Sequence, residues 1–159
     1  MYRIGDKIVH PMHGAGIVDE IVTRKVNNVL RDYYSLRLPM GGMLVLIPTD
    51  HCAEIGVRPV LTPEAFESIL SQIADLQVKL ETNWNHRYQE NMQRLKSGDL
   101  LEVAKVVKSL LLRDTRRGLS TGERKMLHSA KQILISELSL SKDVPYEEAE
   151  GCIDQVLHA

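Results

Sequence analysis

Aromatic side chains are scarce in this sequence: one Trp, one Phe and five Tyr among 159 residues. A core must therefore be built mainly from Leu, Ile and Val, and the single Trp84 stands out against that background. Cysteine is nearly absent. Cys52 and Cys152 are too few and too far apart for a disulfide framework or a paired Cys-x-x-Cys metal site. The opening Met1-Tyr2-Arg3-Ile4-Gly5-Asp6 does not read as a secretory leader, so both thiols are expected to stay reduced in the cytoplasm. No apolar run approaches the roughly 18 residues that cross a bilayer, which argues against a membrane partner. Glycine-rich phosphate loops, GxSxG and HExxH are also missing, so neither an enzyme nor a cofactor is expected.

One cluster deserves a hearing as a metal site. His10 and His13 have ligand-like spacing, and His51 with Cys52 could complete the set from another strand. A Pro11-containing turn before Gly14 explains His13 equally well as a surface residue, and no metal is expected. A zinc-dependent enzyme is the weakest of the functional readings.

Net charge is −1, which argues against nucleic acid until the charges are placed along the chain. From Trp84 to Lys131 there are eleven Lys and Arg against five Asp and Glu, a net of +6. Residues 61–83 hold one base against four acids, and residues 132–159 one base against six, nets of −3 and −5. A basic centre between acidic flanks can bind phosphates although the whole chain is slightly acidic. Solvated helix faces would give the same count, and charge alone leaves the two readings even. Arg94 and Lys125 enter as candidate DNA contacts on this pattern.

Periodicity divides the chain. Residues 1–58 read as short strands: Lys7–His10, then Ile17–Val22, then Tyr34, Leu36 and Leu38 alternating with Ser35 and Arg37. Gly41-Gly42 reads as a hairpin turn leading into Met43–Ile47. Four or five strands in so few residues predict a small, strongly bent barrel with one edge left unpaired. Residues 61–159 read as about five helices. Thr62-Pro63 starts the first, running to about Leu80, and Thr82-Asn83 caps the second. Asp99 with Glu102 opens the third, Ser120-x-x-Glu123 is a full capping box for the fourth, and Pro145 starts a fifth that ends near Leu157. The fold class is α+β.

Trp84 carries two readings. With Tyr88, Met92 and Leu95 it shares a helical face, which favours a core residue on spacing alone. Against that, it stands near a helix N-terminus among Asn83, Asn85 and His86 and beside Arg87. A flat ring flanked by polar and basic groups suits insertion at a base step.

The chain opens with Gly5-Asp6-x-x-Val9-x-Pro11-x-His13-Gly14 and Gly16. Its second half holds Thr82-Asn83-Trp84, Arg87-Tyr88, Leu95, Ser97-Gly98-Asp99, Arg113-Asp114, Arg117-Gly118-Leu119-Ser120-x-Gly122-Glu123 and Gln132-Ile133-Leu134. The first set resembles the opening, and the second the helical domain, of the CarD/CdnL family of RNA polymerase-binding transcription regulators. The resemblance spans essentially the whole chain. It implies a Tudor-like barrel over 1–58 that pairs an edge strand with the polymerase β subunit, and a helical DNA-binding domain over 61–159. For the polymerase contact it implies Arg24, with Leu44 and Leu46 on the pairing strand. Leu46 stands where relatives often carry arginine, which shifts that contact towards apolar character. For promoter DNA at the upstream edge of the melted bubble it implies Trp84, with Asn85, His86 and Arg87 around it, and so favours the wedge over the core. Relatives are more basic beside Trp84, where this chain has His86 and Gln89, so DNA affinity is expected to be lower, and His86 to raise it at mildly acidic pH. The expected protein is a monomer that stabilises the open promoter complex. The competing reading is a protein–protein adaptor of the transcription machinery that never touches DNA.

Overall fold

The computed structural model describes residues 1–79 and 83–158. Thr82, expected to share a helix cap with Asn83, lies outside the described residues.

Turn chemistry shapes the N-terminal half. Strand β1 (Lys7–His10) pairs antiparallel with β2 (Gly14–Val26), which pairs with β3 (Val29–Arg37), which pairs with β4 (Leu44–Pro48). The predicted turn before β4 is present, with φ of 68° at both Gly41 and Gly42. A second tight turn was not foreseen. Asn27 and Asn28 take φ of 53° and 64°, the left-handed pair of a two-residue hairpin loop, and carry β2 and β3 well past their expected ends. A register shift between Val18 and Glu20 bulges β2, and such bulges bend a strand. A four-residue helix α1 (Cys52–Ile55) and the two-residue strand β5 (Arg58–Pro59), neither expected, complete this half. The five-stranded sheet runs β4-β3-β2-β1-β5, so β4 and β5 are its edges. Ile8, Val18, Tyr34, Leu36, Leu38, Ile47 and Val57 form its core.

Five helices follow: α2 (Pro63–Asp75), α3 (Trp84–Lys96), α4 (Leu100–Arg116), α5 (Thr121–Lys142) and α6 (Tyr146–Leu157). Caps place their starts. Thr62 Oγ1 accepts from Ala65 N–H at 3.2 Å, Asn83 Oδ1 from His86 N–H at 3.0 Å, and Asp99 Oδ1 from Leu101 N–H at 2.8 Å. The Ser120–Glu123 capping box is formed in full. Helix α2 stops at Asp75, five residues before the expected end. Lys108 Nζ of α4 donates to the carbonyls of Ala74 at 3.4 Å and Leu76 at 3.0 Å, satisfying the acceptors left at that end. Helix α5 is the centre of the molecule, buried on every side from Ile133 to Leu140. It packs on α4 and α6 and also against β2, so the sheet rests on the same helix that organises the bundle. No helix among the described residues is long and apolar enough to cross a membrane.

Candidate functional site

Trp84 is the first residue of α3, directly after its cap. Its side chain is 47% exposed, while Tyr88 and Met92 along the same face are half-buried and Leu95 is fully buried. The expected apolar face therefore exists but surfaces at its N-terminal end. The Trp84 ring stacks on Tyr88, with centroids 5.3 Å apart and 17° between planes. Tyr88 in turn lies against the first turn of α5 at Gly122. One face of the indole is thus held by a partner ring, and about half of the residue remains exposed.

Arg87 departs from expectation. The resemblance implies a DNA contact there, but the side chain points inward and is 5% exposed. Its Nε donates to Glu123 Oε2 at 2.7 Å. The other oxygen of Glu123 lies 3.9 Å from Arg113 Nε of α4 and accepts from the Ser120 N–H at 3.3 Å. A single carboxylate thereby bonds α3 to the start of α5, with the Arg113 guanidinium of α4 alongside. Burial alone would raise the pKa of Glu123, but the bond from Arg87, the backbone and hydroxyl of Ser120 and the nearby guanidinium charge hold it below its ordinary value. Ionised, it keeps the junction closed. The physical content of Arg113, Ser120, Gly122 and Glu123 in the sequence motif is therefore this support for α3.

The remaining candidate DNA contacts differ in how they are engaged. Asn85 and His86 are exposed on the first turn of α3, and His86 Nδ1 lies 3.6 Å from Glu90. Arg94 is half-buried and bridges Glu90 and Glu102, the latter at 3.3 Å, so its charge is already answered within the protein. Lys125 is exposed on α5. Arg116, Arg117 and Arg124, which belong to the basic centre but not to the candidate DNA contacts, are all exposed where α4 ends and α5 begins.

At the other end, β4 is an unpaired edge. Leu44 is 53% exposed and Leu46 43%, on the face opposite Ile47 and the half-buried Val45. Arg24 is exposed on the β2–β3 hairpin, directly across the ladder from Arg31, which reaches Asp50 at 3.4 Å.

The histidines suggested for metal serve local geometry. His10 and His13 rings lie 4.6 Å apart, and His10 Nδ1 accepts from Met12 N–H at 3.1 Å. Burial, and then the neighbouring His13, push the His10 pKa down to about 4. His51 Nδ1 instead meets Glu54 at 3.0 Å. No group of three His, Cys, Asp or Glu among the described residues is placed to hold a metal.

Comparison with known proteins agrees with this architecture. Residues 2–61 match the CarD-like/TRCF RID domain, and residues 68–154 match the C-terminal domain of CarD. The chain is also similar to a Bacillus subtilis (strain 168) protein named "Putative transcription factor YdeB". The two are 35% identical over 151 residues, covering 95% of this chain and 99% of that one. Two domain matches in family order and a relative aligned nearly end to end leave one assignment: this chain belongs to the CarD/CdnL family of transcription regulators.

Proposed function

We propose that this protein is a non-catalytic, monomeric cytoplasmic regulator that binds the RNA polymerase β subunit and promoter DNA together, and so stabilises the open promoter complex. In this reading residues 1–58 are the polymerase-interaction domain and residues 61–159 the DNA-binding domain. The β4 edge offers unsatisfied backbone donors and acceptors for strand addition, with Leu44, Leu46 and Arg24 supplying side-chain contact. Trp84 wedges into the minor groove at the upstream edge of the melted bubble. Asn85, His86, Lys125 and the exposed arginines around the α4–α5 connection meet the backbone, since phosphate contacts position a protein and groove contacts select the site. Arg87 acts indirectly, by holding α3.

The observation that carries this reading is a half-exposed Trp84 held against Tyr88 at the start of a capped helix. A large apolar ring left partly exposed, yet fixed in orientation, loses little entropy on insertion. Tethering to polymerase raises its local concentration, so a modest DNA surface suffices. Because the ring favours a distorted groove, it shifts the equilibrium from the closed to the open state. The test is the lifetime of open complexes on purified polymerase with and without this protein, beside a salt-dependent mobility shift on forked promoter DNA. A lengthened lifetime and a DNA shift that fades with salt support the proposal. No DNA shift at any salt would favour the adaptor reading.

A further inference from the structure

The sheet and the helical bundle meet through a small apolar cluster of Val9, Ala15 and Leu140, with Val60 against them, and through Met12 of the β1–β2 turn, which packs on the bundle core. Around the cluster lie directional bonds. Arg58 of β5 donates from Nη1 and Nη2 to the two carboxylate oxygens of Glu137, each at 2.7 Å. Glu137, 0% exposed, also accepts from Leu61 N–H at 2.9 Å. Ser136 Oγ accepts from Ala15 N–H at 2.9 Å, and Lys7 Nζ donates to the Leu140 carbonyl at 3.0 Å. Gly14, at φ 96°, is what lets β2 come this close, since a Cβ there would lie 2.5 Å from Ser136 Oγ.

A buried carboxylate is a costly way to join two surfaces, and an apolar pair of the same shape is often as stable. What the pair adds is direction. Apolar contact is non-directional, whereas a two-point guanidinium–carboxylate fork fixes both distance and angle. Both acidic anchors lie on α5: Glu123 takes Arg87 of α3, the helix that Trp84 begins, and Glu137 takes Arg58 of the sheet. At 1.5 Å per residue they stand about 21 Å apart along one helix, nearly in rotational phase after two heptads.

We propose that Arg58 and Glu137 are positioning residues that lock the sheet to α5, holding the β4 edge and Trp84 at one separation and angle. The inference rests on the tethered-wedge reading, because a tether helps only where geometry lets both contacts form at once.

The double variant Arg58→Met/Glu137→Gln tests it, removing both charges while leaving an acceptor for Leu61 N–H. Spin labels on exposed Cys152 and on Glu54→Cys, in a Cys52→Ser background, report the distance between the two halves. The unaltered pair should give one narrow distance distribution and the double variant a broad one. Binding to the polymerase β subunit should be retained, while open-complex lifetime falls about tenfold. Arg58→Lys keeps the charge but not the fork, and should fall between on both readouts. If the double variant fails to fold, Arg58→Lys carries the same comparison. A variant distribution as narrow as the unaltered one overturns the lock, and so does a broad distribution with unchanged lifetime. If the unaltered protein itself does not lengthen the lifetime, the tethered-wedge reading falls, and the distance distributions still decide whether Arg58 and Glu137 fix the geometry.

Discussion

Arg87 and Glu123 are 36 positions apart in the chain, and their side chains meet in a buried ion pair of 2.7 Å that joins α3, the helix Trp84 begins, to α5. Each is nearly inaccessible to water, so neither charge can be left alone cheaply. The pair explains why a helix as polar as α3, with few apolar residues of its own, holds a fixed place in the bundle. It also separates two roles that lie three residues apart: Trp84 faces out, and Arg87 holds the helix that presents it.

Removing one partner should therefore be severe. Arg87→Ala is expected to cost about 3–5 kcal/mol, because it strands a buried carboxylate. Urea unfolding measures this. A loss under about 1 kcal/mol would show the pair to be peripheral.

The same carboxylate predicts an acid limit. The pKa of Glu123 is held below its ordinary 4.5, so its contribution is fully present above that value and is lost as pH falls through the lower folded one. Glu123→Gln should be less stable at neutral pH and show a shallower loss of stability below about pH 4.5. Thermal melts at pH 3 to 7 decide it, and parallel curves for the two proteins would count against the assignment.

Arg94 and Lys125 should part company in DNA binding. Lys125→Ala should lower the slope of log affinity against log salt by about one, as for a lost phosphate contact. Arg94 is already paired with Glu90 and Glu102, so Arg94→Ala should leave the slope nearly unchanged. Titration of forked promoter DNA over a range of salt concentrations measures both. Equal changes would mean that the Arg94 pairs open on binding.

At the polymerase end, Arg24→Glu and Leu46→Glu should each weaken capture of the β subunit without lowering the melting temperature, since both side chains are exposed. Leu46→Arg should keep binding but make it more sensitive to salt. Undiminished capture by both glutamate variants would remove β4 and its neighbouring hairpin from the interface.

What the sequence showed about this fold was mostly local. Asn83, Asp99 and the Ser120–Glu123 box act on neighbours two or three residues away, and all three caps form where their spacing placed them. Asn27-Asn28 carries an equally local signal, two residues tolerant of positive φ, but the flanking strands lack the clean alternation that would mark it as a hairpin. Long-range pairings were hidden. Nothing near Arg87 indicates that its partner is Glu123, and Ser136 and Glu137 look like surface positions until β2 and β5 are laid against α5. Helix α2 ran on past Asp75 in periodicity alone, because the lysine that ends it comes from α4. Trp84 reads as core on spacing for the same reason: its face is apolar, and only packing decides how far along that face the burial extends.

Trp84→Ala tests the central claim most directly, read by a thermal melt and an open-complex decay assay on one preparation. A core tryptophan would cost roughly 3–5 kcal/mol on truncation. A half-exposed ring stacked on Tyr88 should cost only about 1 kcal/mol. The account predicts a small melting shift, retained polymerase binding and a clearly shortened open-complex lifetime, with Trp84→Phe restoring part of it. A large melting shift without a separate kinetic defect would contradict it and return Trp84 to the core.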